Sequence, residues 1–166
     1  MKKIIPIVIF VVSLIATGIL LVTQFKNGLS VTGLNEPNVW GAYIASFTFS
    51  LGAGAGVLLL MFYLSITNKL KKTKQLKLSL IALASLALAG IFITLDLGRP
   101  EMFYLFITSP NFSSPLVWDF WVMNTLIMIS VVSIITAFKN GLPKVLSIIF
   151  IIVTFVAYFI TTEAFT

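Results

Sequence analysis

PNVWGAYIASFTFSLGAGAGVLLLMFYLSITN, residues 37–68, runs for 32 residues without a charge. About 20 predominantly apolar residues are enough for a helix to cross a bilayer, so this stretch predicts a membrane span with margins to spare at both ends. Working outward, the charged residues bound four more uncharged runs, at 4–25, 78–95, 120–138 and 145–162. Of the 166 residues, 59% are hydrophobic and 10% charged, where soluble domains average roughly 45–50% apolar and about 25% charged. The expected fold class is therefore all-α: a polytopic membrane helix bundle with five transmembrane helices. Residues 1–166 form a single membrane domain, with spans at about 4–23, 40–66, 76–95, 117–138 and 143–162.

The net charge of +6 would point to nucleic acid in a soluble protein, but in a membrane protein its distribution matters more than its sum. With the N-terminus inside, inner segments carry Lys2, Lys3, Lys69, Lys71, Lys72, Lys74, Lys77, Lys139 and Lys144, and outer segments only Lys26 and Arg99. The positive-inside rule then gives an N-in, C-out topology in the cytoplasmic (inner) membrane, with Lys69–Lys77 facing anionic lipid heads and no nucleic acid partner. Lys2 and Lys3 resemble the start of a signal peptide, yet residues 4–22 exceed the usual h-region of about 7–15 residues, so an uncleaved first span is expected. All five carboxylates, Glu36, Asp96, Glu101, Asp119 and Glu163, fall at or beyond the outer helix ends. Chemistry is expected at that end.

With no histidine and no cysteine, the chain cannot hold haem through imidazole, an iron–sulfur cluster or tetrahedral zinc, or run a Ser-His or Cys-His nucleophile. Any electron-carrying metal belongs to another subunit. Small residues stripe the second span: Ala42, Ser46, Ser50 and Gly54 recur every four residues, with Gly52 and Gly56 alongside. That pattern suits close helix packing against Ala82, Ser85 and Ala89 of the third span, or a flat ligand. FKNGL occurs twice, at 25–29 and 138–142; a cation in the last helical turn followed by Gly in a left-handed C′ conformation explains both copies. Met102–Ile107 is too short to span and is stopped by Ser109-Pro110-Asn111, which predicts a short interfacial helix between the third and fourth spans. Ser114 is a plausible N-cap, Pro115 the first helical residue, and Asp119 a first-turn anion.

At the outer end, Arg99 can pair with Asp96 or Glu101 to fix a turn, or serve chemistry. The aromatics Trp40, Tyr43, Tyr104, Trp118 and Trp121 suit a membrane belt. Clustered with carboxylates, they also suit a flat amphipathic quinone head. Quinol oxidation releases two protons and two electrons, so such a site needs hydrogen-bonding groups, a carboxylate route to water (Asp96, Glu101 or Asp119) and a nearby metal centre. This chain has the first two.

VTGLNEPNVWGAYIA (31–45), GAGAG (52–56), DLGRP (96–100) and PNFSSPLVWD (110–119) resemble the NrfD/PsrC family of integral membrane subunits in polysulfide-reductase-like, molybdopterin-oxidoreductase and hydrogenase-associated complexes. The resemblance covers residues 31 to about 121 and implies a menaquinone- or ubiquinone-reactive anchor. Such an anchor exchanges electrons with an extracytoplasmic iron–sulfur subunit, itself wired to a molybdopterin-type or other catalytic subunit. Carried over by position, Trp40, Gly41, Tyr43, Pro100, Ser114 and Trp118 would line or support the quinone pocket, with Asp96 and Arg99 closest to the chemistry. Family members are longer and carry more spans, so the chain corresponds to the first half of the family fold, beside a second membrane half-subunit. The histidines with which some relatives contact quinone have no counterpart here. The competing reading is a non-catalytic scaffold or assembly subunit. A small transporter is disfavoured because no charge or helix break lies at a midplane.

Overall fold

The computed structural model describes residues 4–28, 41–97 and 100–163, and among them every regular element is helical. The order is α1 (Ile4–Asn27), α2 (Ala42–Ile66), α3 (Lys72–Asp96), a 3₁₀ helix (Pro100–Tyr104), α4 (Leu105–Thr108), α5 (Pro115–Phe138) and α6 (Lys144–Glu163). α1, α2, α3 and α5 are each long and apolar enough to cross a membrane. The chain is a multi-pass membrane protein. The 3₁₀ helix and the single turn of α4 stand where the short helix was expected.

The helix boundaries follow from local chemistry. α3 begins at Lys72, four residues before its expected start, because lysine stems lie along a helix and snorkel their ammonium groups to water. After α1, Gly28 has φ +73°, and after α5, Gly141 has φ +83°. Both copies of FKNGL therefore end a helix through a left-handed glycine, as expected. After α2, Asn68 takes the same left-handed region, φ 58°, and Lys69 N–H donates to Leu64 O at 2.9 Å.

Helices α2, α3, α5 and α6 form a four-membered ring in which α2 packs on α3 and α6, and α5 packs on the same two. The core at its centre holds Phe47, Leu58, Met61, Phe62, Leu86 and Leu126. Phe62 meets the α6 ring Phe150 at 5.5 Å. The tightest approach is between α2 and α3. A Cβ on Gly54 would lie 2.8 Å from Leu86 Cγ and 3.3 Å from Ala82 O, whereas Gly52 and Gly56 have nothing within 4 Å. The small-residue stripe is thus a packing face at Gly54 and an open face at the other two.

α1 stands apart from the ring. Every side chain from Ile5 to Leu20 is exposed, and a helix apolar on all sides requires lipid or further protein around it. At the opposite end of the ring from Gln24 of α1, Gln75 joins three elements. Its Nε2 donates to Ser133 O at 2.8 Å and to Thr136 Oγ1 at 2.9 Å, and its Oε1 accepts from Leu142 N–H at 3.1 Å. Only 1% of Gln75 is exposed.

Two substitutions test this packing by unfolding the purified chain in mixed micelles. Gly54→Ala should destabilise by about 1–3 kcal/mol through overpacking, while Gly52→Ala is tolerated. Gln75→Leu should cost about 1–3 kcal/mol by leaving the buried Leu142 N–H unpaired.

Candidate functional site

The carboxylate-bearing end of the bundle is built from the last turns of α1, α3 and α6 and the first turns of α2 and α5. One corner forms around Gln24, which is 3% exposed. Its Nε2 donates to Leu95 O at 2.9 Å, and its Oε1 accepts the phenol proton of Tyr43 at 2.8 Å. Leu95 O is one of the carbonyls that the end of a helix leaves without an intrahelical partner, so the amide supplies what α3 lacks and ties α1, α2 and α3 together. Sequence reasoning does not single out Gln24. The available signal is one amide near the end of an otherwise apolar run. Gly41 precedes α2 in extended conformation and its carbonyl accepts from Ala45 N–H at 3.2 Å. Asp96, half-buried, is the last residue of α3, where the negative end of the helix dipole disfavours an anion. Helix stability does not explain its position.

The segment after α3 folds over α5. Phe103 and Phe106, three apart, turn inward and meet Phe120 at 5.2 Å each, one edge-on and one stacked, and Phe120 meets Trp121 at 5.7 Å. Edge-to-face and offset pairs of this kind are the favoured aromatic geometries. Glu101 and Tyr104 point outward and are exposed. The turn into α5 is held by Asn111, whose Oδ1 accepts from Ser113 N–H at 3.1 Å and whose backbone carbonyl accepts from Ser114 N–H at 2.9 Å. Ser114 occupies the N-cap position with Pro115 first in the helix, as expected, but its side chain makes no capping hydrogen bond. Trp118 Nε1–H donates to Phe112 O at 2.9 Å, which fixes the indole plane.

Between the start of α5 and the end of α6 lies an open groove of about 670 Å³, lined by Ser113, Pro115, Trp118, Phe155, Val156 and Phe159 together with Ile160. Its size lies within the usual range for small-molecule sites, about 300–1,000 Å³. Its lining is apolar and aromatic with one hydroxyl, Ser113. It fits a flat ring carrying an apolar tail. Asp119 follows Trp118 in sequence yet turns into the bundle: it is 2% exposed, and its Oδ1 has no hydrogen-bond partner. This corrects the expectation of a first-turn anion. α5 begins at Pro115, so Asp119 lies in the second turn and is buried.

The candidates therefore divide. Tyr43 and Gly41 stand at the α1–α2–α3 corner with Asp96 at the adjoining helix end. Trp118 and Ser114 stand at the α5–α6 edge across the ring, with Asp119 inside. Pro100 opens the 3₁₀ helix. Trp40, Glu36 and Arg99 lie outside the described residues, and with Arg99 goes its pairing with Asp96 or Glu101.

This is an all-helical, multi-pass membrane protein with its polar chemistry gathered at one end. A family model described as polysulphide reductase, NrfD, matches residues 30–163, and the chain belongs to that family. It is 37% identical over 105 residues to a protein of Halobacterium salinarum named as a candidate C-type membrane subunit of dimethyl sulfoxide reductase. That match covers 60% of this chain and 23% of the relative, so the chain spans about a quarter of the relative's length. No solved structure matches it.

The corner at Gln24 can be tested with spin labels, since the chain has no native cysteine. With labels on Leu20→Cys and Leu88→Cys, Gln24→Leu should broaden the distance distribution between α1 and α3. Thr23→Val should leave it unchanged, because the Thr23 hydroxyl bonds to Ile19 O within α1.

Proposed function

We propose that this chain is the quinone-interacting part of a membrane anchor in a multi-subunit oxidoreductase. In this reading a membrane quinol or quinone, menaquinone or ubiquinone, reacts at the carboxylate-bearing end. Electrons pass between it and an iron–sulfur subunit docked on the extracytoplasmic face, which serves a molybdopterin-type or other catalytic subunit. The chain crosses the inner membrane five times with its N-terminus in the cytoplasm, α6 being the fifth crossing.

The observation that carries this reading is the aromatic groove beside a buried carboxyl. Trp118, its plane held by Phe112 O, offers a face on which a quinone ring is oriented, and Phe155 and Phe159 offer apolar surface to the ring and its tail. Ser113 supplies a hydroxyl at the mouth for a ring oxygen. Asp119, dry and with one oxygen unpartnered, is able to hold or release a proton within the bundle, and Asp96 and Glu101 stand nearer to water. Bound there, quinol supplies two electrons and two protons. The electron acceptor belongs to the partner, because the ligands for haem or iron–sulfur centres are missing from this sequence. Family membership and the relative's name as a membrane subunit of a reductase support the same assignment.

Turnover of quinol in membranes containing the assembled complex tests the reading. Trp118→Leu should raise KM for quinol several-fold, and Asp96→Asn should lower kcat about 10²-fold or more, in the range of a lost proton-transfer group, while assembly persists. Unchanged turnover in both variants, with the complex intact, would favour a scaffold. Mild-detergent purification should also recover an iron–sulfur protein by mass spectrometry. Recovery of the chain without one would leave the groove with no electron partner.

A further inference from the structure

The end of the ring opposite the aromatic groove holds a second, differently built cavity. It measures about 340 Å³ and lies where α2 ends, α3 begins, α5 ends and α6 begins. Asn68, Lys72, Asn140, Gly141 and Lys144 line it, with the buried Ser65 and Gln75 at its floor. Among the described residues, no carboxylate is part of the lining.

We propose that this cavity is a binding site for a phosphate-bearing anion, supplied by the headgroup of an anionic phospholipid. The argument starts from charge. Residues 37–95 and 120–162 contain no Asp or Glu, so Lys72 and Lys144, with Lys69, Lys71, Lys74, Lys77 and Lys139 around them in sequence, have no counterion in their own segments. Basic pockets between membrane helices are where anionic headgroups are held. The donors are also arranged. Lys72 Nζ donates to Lys139 O, which fixes the stem while leaving an ammonium with further protons to donate. Lys144 stands across the cavity at the first position of α6.

The floor is rigid. Gln75 makes its three hydrogen bonds into α5 and Leu142. Ser65 Oγ donates to Leu142 O at 3.3 Å and accepts from Ser147 Oγ at 2.8 Å. Loop 139–143 is thereby held against α2, α3 and α6, and left-handed Asn68 and Gly141 let two chain turns close the rim. α3 starts at Lys72 with no side-chain cap, so its first N–H groups and positive dipole end add to the same field. A phosphate ester with an apolar tail matches this position, at the rim of an apolar bundle, better than a fully hydrated ion does. The site is independent of the quinone reading.

The experiment is native mass spectrometry of the full chain in mild detergent, with phosphatidylglycerol or phosphatidylcholine added at equal concentration. Phosphatidylglycerol should be retained and phosphatidylcholine stripped. The double variant Lys72→Gln/Lys144→Gln should weaken retention about 25-fold, from about fivefold per lysine. Lys71→Gln/Lys74→Gln, charge-matched but off the cavity, should stay within about twofold, and equal melting temperatures certify both folds. Inorganic phosphate is the second arm. If millimolar phosphate displaces phosphatidylglycerol from the wild type but not from the cavity variant, the anion site stands and a free phosphate is an alternative source. Equal retention of the two lipids, or equal losses in the two double variants, would overturn the proposal, because diffuse charge would then explain the binding.

Discussion

Two buried amides hold the two ends of this bundle, and both answer the same constraint: away from water, a polar group must find its partner inside the protein. Gln24 gives its NH₂ to the orphan carbonyl of Leu95 and its oxygen to Tyr43. Gln75 gives its NH₂ to α5 and its oxygen to Leu142. Between them the helices meet through apolar side chains and the contact at Gly54, where direction and register are less strictly enforced. Removing a methyl from a core of Leu and Phe leaves a graded loss, whereas removing one amide leaves several groups unsatisfied at once. The amides therefore fix which helix ends come together, and with them which residues share a site.

Such long-range amide pairs are what composition could not reveal. The helical spans were legible because the uncharged runs are long and sharply bounded, and the helix ends because lysine, asparagine and glycine signal termination wherever FKNGL occurs. Gly54 was legible as one member of a four-residue stripe, but not as the member that touches Leu86, since the stripe alone does not say which neighbour faces it. Asp119 lies one turn further into its helix than the sequence suggests, for a related reason. Its distance from Pro115 permits either a surface or a core position, and the rotation that buries it follows from the packing of α5 on α3 and α6. The division of the aromatic candidates between two edges of the ring was equally out of reach, because it depends on the order α2, α3, α5, α6 around the core.

The charge asymmetry gives the bundle two chemically different ends. Near Lys72 and Lys144, cations without acidic partners in their own segments surround a polar cavity. Near Trp118, one hydroxyl and several rings line an apolar groove. A lipid headgroup and a lipid-soluble ring are complementary to these two settings, and their places do not interchange. The same asymmetry orients the chain, since the lysines that favour the cytoplasmic leaflet are the ones that would meet anionic lipid there.

Asp119 is the residue whose position is hardest to attribute to stability. Burying a carboxyl without a full set of hydrogen bonds costs free energy in either protonation state, and a leucine or asparagine of similar size would fill the same space at less cost. Helix-dipole compensation does not account for it, because the side chain has left the first turn, where the dipole acts most strongly. Asp96 presents the converse case: a carboxylate at the end of a helix where the dipole opposes it. Two acidic groups, one dry and one at the boundary, each disfavoured by its local setting, stand at the same end of one bundle. Carboxyls kept against local stability are a mark of functional sites, and a path that moves protons between a buried ring and water needs one group in each of these two environments.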